Sequence, residues 1–265
     1  MSESTIRLAA FLSIFVVMAA YELWSPRLER NEMLGALKAK RWLTNLSMVV
    51  LSSVCLRILF PAAAVGTAIY AQSQGWGLFN AVDVPIILAG IIAFVVLDFA
   101  VWLEHLASHK IPLLWRIHRM HHADQGFDLT TALRFHPLEI VLSMVWKAAI
   151  IIALGAPPEA VLIFEIVLNG MAMFNHANAR LPLSLDRVLR NVIVTPDMHR
   201  VHHSAVQRET DSNYGFNFSF WDRIFSTYVA QPAAGHDKMH IGLEEYDGPQ
   251  TSNFFWTLML PFRKG

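Results

Sequence analysis

Five stretches of this chain are too long and too apolar for an ordinary soluble domain. Ile6–Trp24, Leu43–Tyr70 and Val84–Trp102 each approach or exceed the roughly 20 residues that carry a helix across about 30 Å of hydrocarbon. The second contains Arg57 and Pro61, and the third carries only Asp98 as a charge. Leu138–Leu154 and Ala160–Met173 are shorter. They flank Gly155-Ala156-Pro157-Pro158, the pattern of a helical hairpin with its turn near the far membrane face. The whole chain is 54% hydrophobic and 16% charged, against about 25% charged in soluble domains.

The first segment lacks a strongly basic start, and Tyr21-Glu-Leu-Trp-Ser25 is a poor cleavage site, so it reads as a retained helix. Basic residues give an orientation. Arg27, Arg30, Lys38, Lys40 and Arg41 lie between the first two segments, whereas 71–83 and 155–159 hold no Lys or Arg. By the positive-inside rule, loop 25–42, the later polar regions and the C-terminus face the cytoplasm, giving five spans with the N-terminus outside. The zero net charge implies no nucleic-acid partner. Cys55 stands alone, so neither a disulfide framework nor a cysteine metal site is available. The fold expected is an all-α integral membrane protein of four to five transmembrane helices with a cytoplasmic, histidine-rich helical cap. Residues 1–97 form the N-terminal spans, 98–232 the catalytic region including a hairpin at 138–174, and 233–265 a C-terminal tail.

Nine of the twelve histidines fall in four tight groups: His105 and His109; His118, His121 and His122; His176; and His199, His202 and His203. Residues three and four apart share a helical face, so each group is expected to point one way. Several buried imidazoles packed together are hard to satisfy without a metal. Nine exceed the three or four protein ligands of one zinc and suffice for two ions. Histidine suits zinc, copper, iron and nickel. No H-E-x-x-H is present, so a zincin protease is not indicated. Iron fits a site at a membrane surface best, because O2 and lipid tails both concentrate there. His236 and His240, isolated from the groups, read as structural or solvated.

The surrounding residues extend the pattern. They run Asp98-Phe-Ala-Val-Trp-Leu-Glu-His105-Leu-Ala-Ser-His109, Pro112-Leu-Leu-Trp115-Arg-Ile-His118-Arg-Met-His121-His122 and Arg134-Phe-His136-Pro137-Leu-Glu139. Phe174-Asn-His176-Ala-Asn178, Pro196-Asp-Met-His199-Arg-Val-His202-His203, Asn213-Tyr-Gly215 and Trp221-Asp222-Arg-Ile-Phe225 follow. Over about 98–228 the chain resembles the fatty acid hydroxylase superfamily, also called the sterol desaturase family. The resemblance implies a membrane-embedded, non-haem di-iron enzyme that uses O2 to hydroxylate or desaturate a lipid. Two iron ions would be held by the nine histidines, although zinc can occupy such a site on isolation. Some members carry a paired histidine motif where this chain has only His176.

Supporting residues are expected around the nine. Asp98 lies two turns before His105 on the same helical face, where a carboxylate would orient an imidazole. Asp197 and Asp222 are candidates for the same role. His136 is a candidate ligand, wall residue or helix start, and Asn178 or water would fill in where the paired histidine motif is missing. Residues 112–123 are expected to form a short helix carrying the second group. Residues 184–194, with Ser184 as N-cap, read either as an amphipathic helix on the bilayer surface or as one packed on a core. The aromatic segment 214–228 suits a core, a headgroup zone or a lipid pocket.

The chain has no G-x-G-x-x-G and no C-x-x-C, so electrons are expected from an external electron-transfer protein. The expected partner in the membrane is a lipid substrate: sterol, fatty acyl or related. The expected location is a bacterial inner membrane, or the endoplasmic reticulum in a eukaryote. Two other classes stay open: a zinc-dependent membrane hydrolase on the same scaffold, and a non-catalytic metal- or lipid-binding membrane protein.

Overall fold

The computed structural model describes residues 2–28 and 32–263. Arg30, one of the basic residues used to orient the chain, lies outside the described residues. Among them the regular structure is helical, with no strand. Within hydrocarbon a helix satisfies its own backbone hydrogen bonds, and five candidate spans follow from length and composition.

Helix α1 (Glu3–Trp24) starts on a Ser2 N-cap that accepts from the Thr5 N–H. Helix α2 (Glu32–Leu59) has 28 residues, about 42 Å at 1.5 Å per residue. That exceeds the hydrocarbon thickness, so its first turns stand in the cap. The region expected as a loop to residue 42 is therefore helical from Glu32. Arg41 is not a solvated loop charge either. It is buried, with Nε 2.6 Å from Asp124 and Nη1 2.6 Å from Asp128.

The apolar stretch 43–70 is not one helix: it breaks at Pro61. Proline offers no N–H to the helix and its ring clashes with the preceding turn. Ala63 just beyond has φ +50°. Helix α3 (Ala63–Ser73) resumes there and buries Ala64, Ala68 and Ala71. These small residues let it lie close against two later helices.

A short helix, α4 (Leu78–Ala81), precedes α5 (Ile86–Lys110), a span whose last turns carry the first histidine pair. Pro112 starts α6 (Pro112–His122), as the spacing predicts. Helices α7 (Pro137–Leu154) and α8 (Pro158–Asn175) form the hairpin. Its arms pack mainly on other helices: α7 on α2, α3 and α5, and α8 on α1, α3 and α5. At the far end, Gly77 (φ +95°) meets the hairpin turn. A Cβ there would sit 2.1 Å from the Gly155 backbone nitrogen, so only glycine fits.

The cap follows. Helix α9 (Leu183–Leu189) is shorter than the 184–194 expected, and its N-cap is Pro182 rather than Ser184. It exposes Leu183, Leu185 and Val188 and buries Asp186. This inverted pattern favours the bilayer-surface reading over core packing. Helices α10 (Pro196–His202), α11 (Gln207–Thr210) and α12 (Phe220–Ile224) follow. The C-terminal segment folds back through α13 (Phe254–Met259). It is integral to the cap: the buried Arg134 guanidinium donates to Met120 O, Asn45 Oδ1 and Thr251 O, tying α6, α2 and this segment together.

Candidate metal centre

The nine histidines converge where α5, α6, α8 and α10 meet on one side of the bundle. They form two groups. His105, His109, His118, His122 and His202 make one, and His121, His176, His199 and His203 the other. Within each group one ring nitrogen per residue lies within 4.8 Å of all the others.

The H-x-x-H-H triplets do not point one way, as their spacing suggested. Each straddles both groups: His118 and His122 against His121, and His199 and His203 against His202. The reason is angular. At 3.6 residues per turn, positions i and i+4 lie about 40° apart, while i+3 lies about 100° from i+4. Two adjacent centres can exploit that divergence.

Backbone carbonyls fix the rings. His105 Nδ1 is 2.7 Å from Tyr214 O, His202 Nδ1 2.7 Å from Ser212 O, and His176 Nδ1 2.7 Å from Ala172 O. His121 Nδ1 faces Arg134 O at 3.3 Å. His118 Nδ1 meets the Glu139 carboxylate at 2.6 Å. Carbonyls and carboxylates only accept, so each of these Nδ1 atoms carries the proton and donates. The Nε2 lone pairs then face inward. His176 Nε2 lies 3.2 Å from His121 Nε2 and 3.1 Å from His199 Nε2, and His122 Nε2 lies 3.2 Å from His118 Nε2. Bonds of about 2.0–2.1 Å to one ion would separate neighbouring ligands by about 2.9–3.4 Å.

Seven ring nitrogens of the two groups are buried without a hydrogen-bond partner, among them His105 Nε2, His202 Nε2 and both nitrogens of His203. At about 1–3 kcal/mol for each stranded buried group, the sum rivals the 5–15 kcal/mol stability of a whole domain. A metal takes one nitrogen per histidine and would relieve one each on His105, His109, His202 and His203, so the donor set fits metal ions. Burial and neighbouring imidazoles push His121, His122, His199 and His203 well below the usual histidine range. Burial brings His176 to about 4 and His202 to about 3. All six are therefore neutral near pH 7, the protonation state a ligand needs.

Aromatic rings seal the centre. Phe135 stacks on His121 with centroids 4.5 Å apart, Trp115 lies against His109 and His122, and Phe127 against His176 and His203. Tyr214, from the aromatic segment, is fully buried against His105, His109 and His202.

The expected supporting residues lie elsewhere. Asp98 faces the correct way, but two helical turns are about 10.5 Å, too far to touch His105. Its Oδ2 accepts from Trp221 Nε1 at 2.8 Å and from the Phe218 N–H. Asp222 accepts from Trp102 Nε1 and from the Tyr214 and Gly215 N–H groups, so it fixes the carbonyl that holds His105 only at one remove. Asp197 pairs with Arg27 and Arg200. His136 caps α7 by accepting from the Leu138 N–H, and its other nitrogen donates to Leu258 O. Asn178 bonds the Leu28 backbone in both directions. None of these five belongs to either group. Glu139, which does touch a grouped histidine, was visible only as a carboxylate two residues after the helix-starting Pro137.

Fold and site together define a multi-pass membrane protein with a histidine-built candidate metal centre. The fatty acid hydroxylase family profile matches residues 90–227, about half of the chain, and the chain belongs to that family. It is 28% identical to ornithine lipid hydroxylase OlsE of Rhizobium tropici over 185 residues, 68% of this chain and 53% of that protein. It is 30% identical to alkylglycerol monooxygenase of Homo sapiens over 142 residues, 52% of this chain and 30% of the relative. Cholesterol 25-hydroxylase of Homo sapiens is 25% identical over 136 residues, 49% of this chain and 47% of the relative. The chain thus matches about half or less of each relative's length. No solved structure matches it.

Proposed function

We propose that the chain is an O2-dependent lipid hydroxylase or desaturase with two iron ions, one at each histidine group. The observation that carries this reading is the pair of adjacent nitrogen clusters, five and four strong, in which every histidine but the half-buried His109 is buried. Membership of the fatty acid hydroxylase family and the hydroxylase and monooxygenase relatives support it. We place residues 98–232 as the catalytic region, with the nine histidines as ligands. Bound there, iron would supply the redox steps that reduce O2 and open an unactivated C–H bond. For hydroxylation, one C–H and the O–O bond break, a C–O–H group and water form, an external protein donor supplies two electrons, and two protons come from solvent.

The chain's own residues do the rest. Tyr214, Ser212, Ala172 and Arg134 carbonyls and the Glu139 carboxylate hold imidazole tautomers and angles. Phe135, Phe127, Trp115 and Tyr214 exclude water from the reacting space. The far turns 71–83 and 155–157 lack Lys and Arg, which supports a cytoplasmic cap in an inner membrane.

The test is metal content and O2 uptake on protein purified anaerobically from iron-supplemented cells. Two irons per chain and reductant-dependent O2 consumption are expected, and both should vanish in His121→Ala and His202→Ala. Tightly bound zinc with no iron uptake and no O2 reaction would overturn the proposal. So would full activity in both variants.

A further inference from the structure

Two cavities meet beside the histidines, and they differ in chemistry. The first, about 200 Å³, is lined by His105 and His118 and runs into the bundle past Ser143, Lys147 and Asn169. The second, about 370 Å³, is apolar and lies between α5, α6 and α7, walled by Leu103, Leu114, Ile117, Leu142 and Trp146. Leu103 and Leu142 are exposed on the outer surface of two candidate spans, so this cavity lies at the apolar flank of the bundle. Glu104, Ser108 and Glu139 line both. The junction is therefore at the histidine centre.

The polar lining of the first cavity is patterned. Glu139, Ser143 and Lys147 recur every four residues on α7, a single stripe that starts at His118 and climbs about 12 Å into the membrane. Glu104 on α5 faces this stripe and accepts from Ser143 Oγ at 3.1 Å. Lys147 is the unusual member. Among the described residues no hydrogen bond reaches its Nζ. Its nearest carboxylate oxygen is Glu165 Oε1 at 3.7 Å, and Glu165 is already held by Arg7 at 2.5 Å. A lysine inside a span is costly and marks function by default. Here it offers three donors into a cavity with Glu104 as an acceptor nearby.

We propose that Lys147 and Glu104 bind the polar head of the lipid substrate while its tail lies in the apolar cavity. This rests on the lipid-oxidising reading of the site. The head supplies an oxygen acceptor to Lys147 and a hydroxyl or ammonium donor to Glu104. The carbon presented to the histidines is then one at the head–tail boundary, not one in mid-tail. Lys147 is a specificity-determining residue in this scheme, since its contact sets which carbon stands at the junction.

The experiment is equilibrium binding of radiolabelled hexadecane-1,2-diol and hexadecane to the full chain in detergent. The diol should bind at least tenfold more tightly than the alkane. Lys147→Met should lose that preference while leaving hexadecane binding unchanged, and Lys147→Arg should keep most of it. Glu104→Gln provides a second variant with its own tenfold expectation if Lys147→Met does not fold. Equal binding of diol and alkane to the wild type, or an undiminished preference in either folded loss-of-function variant, would overturn the proposal. Binding is read without turnover, so an iron-loaded protein that fails to consume O2 counts against the oxygenase reading and leaves this result standing. If turnover occurs, oxidation within the first few carbons of the head is expected, and mid-chain oxidation would also overturn the assignment.

Discussion

The Glu139 carboxylate lies 2.6 Å from His118 Nδ1 and is the one carboxylate hydrogen-bonded to a grouped histidine among the described residues. A carboxylate in this position fixes the tautomer and raises the basicity of the opposite nitrogen. Glu139→Gln should therefore lower metal affinity about 10–100-fold, the usual effect of losing such a partner. A metal-binding isotherm on the purified variant reads this directly. Unchanged affinity would mean that His118 is held adequately by its neighbours alone.

Asp222 gathers four donors: Trp102 Nε1, the Tyr214 and Gly215 N–H groups, and the Thr227 hydroxyl. Asp222→Leu strands the first three in a buried site. At about 1–3 kcal/mol each, a loss of at least about 3 kcal/mol is expected. Thermal unfolding in detergent should show a clear fall in Tm. Metal retention should fall with it, because Tyr214 O would no longer hold His105.

Acid should act on the Arg41–Asp128 pair. Burial alone would raise the Asp128 pKa, but the Arg41 charge and hydrogen bonds outweigh it and hold the carboxyl below its ordinary value. A group depressed in the folded state stabilises above its unfolded pKa, about 3.9. That contribution is lost as pH falls through the folded value. The Tm advantage of wild type over Asp128→Asn should narrow as pH falls from about 5 toward 3. An advantage that widens in acid would contradict the pairing.

Glycine at the far turns gives a paired comparison. A Cβ at Gly77 would collide with the Gly155 backbone, whereas one at Gly75 meets nothing within 4 Å although φ is +66°. Gly75→Ala should cost about 1 kcal/mol, the penalty of a left-handed alanine. Gly77→Ala should cost several-fold more, because the α4 turn must move off the hairpin. Comparable Tm values for the two variants would show that the far turns yield easily.

The spans and the histidine groups were legible because each depends on composition or on spacing along one helix. Residues 112–122 form the short helix that Pro112 announces. What could not be read is how helices meet. Asp98 has the right face, but its height on α5 takes it to Trp221. Arg41 looked like a topology signal, yet its two aspartates lie more than 80 residues away. Glu139 was in plain sight, but only the approach of α7 to α6 brings it to His118. The triplets misled for the same reason: a helical face is a coarse idea until a second helix shows where the dividing line runs.

That division has a further consequence. Helices α6 and α10 each give nitrogens to both groups. An ion seated in either group pins the same two helices that build the other, so the first binding event organises ground for the second. If the proposed pair of ions binds there, loading is expected to be cooperative. Populations with one ion per chain should be scarce during titration, and removal of either ion should release its neighbour.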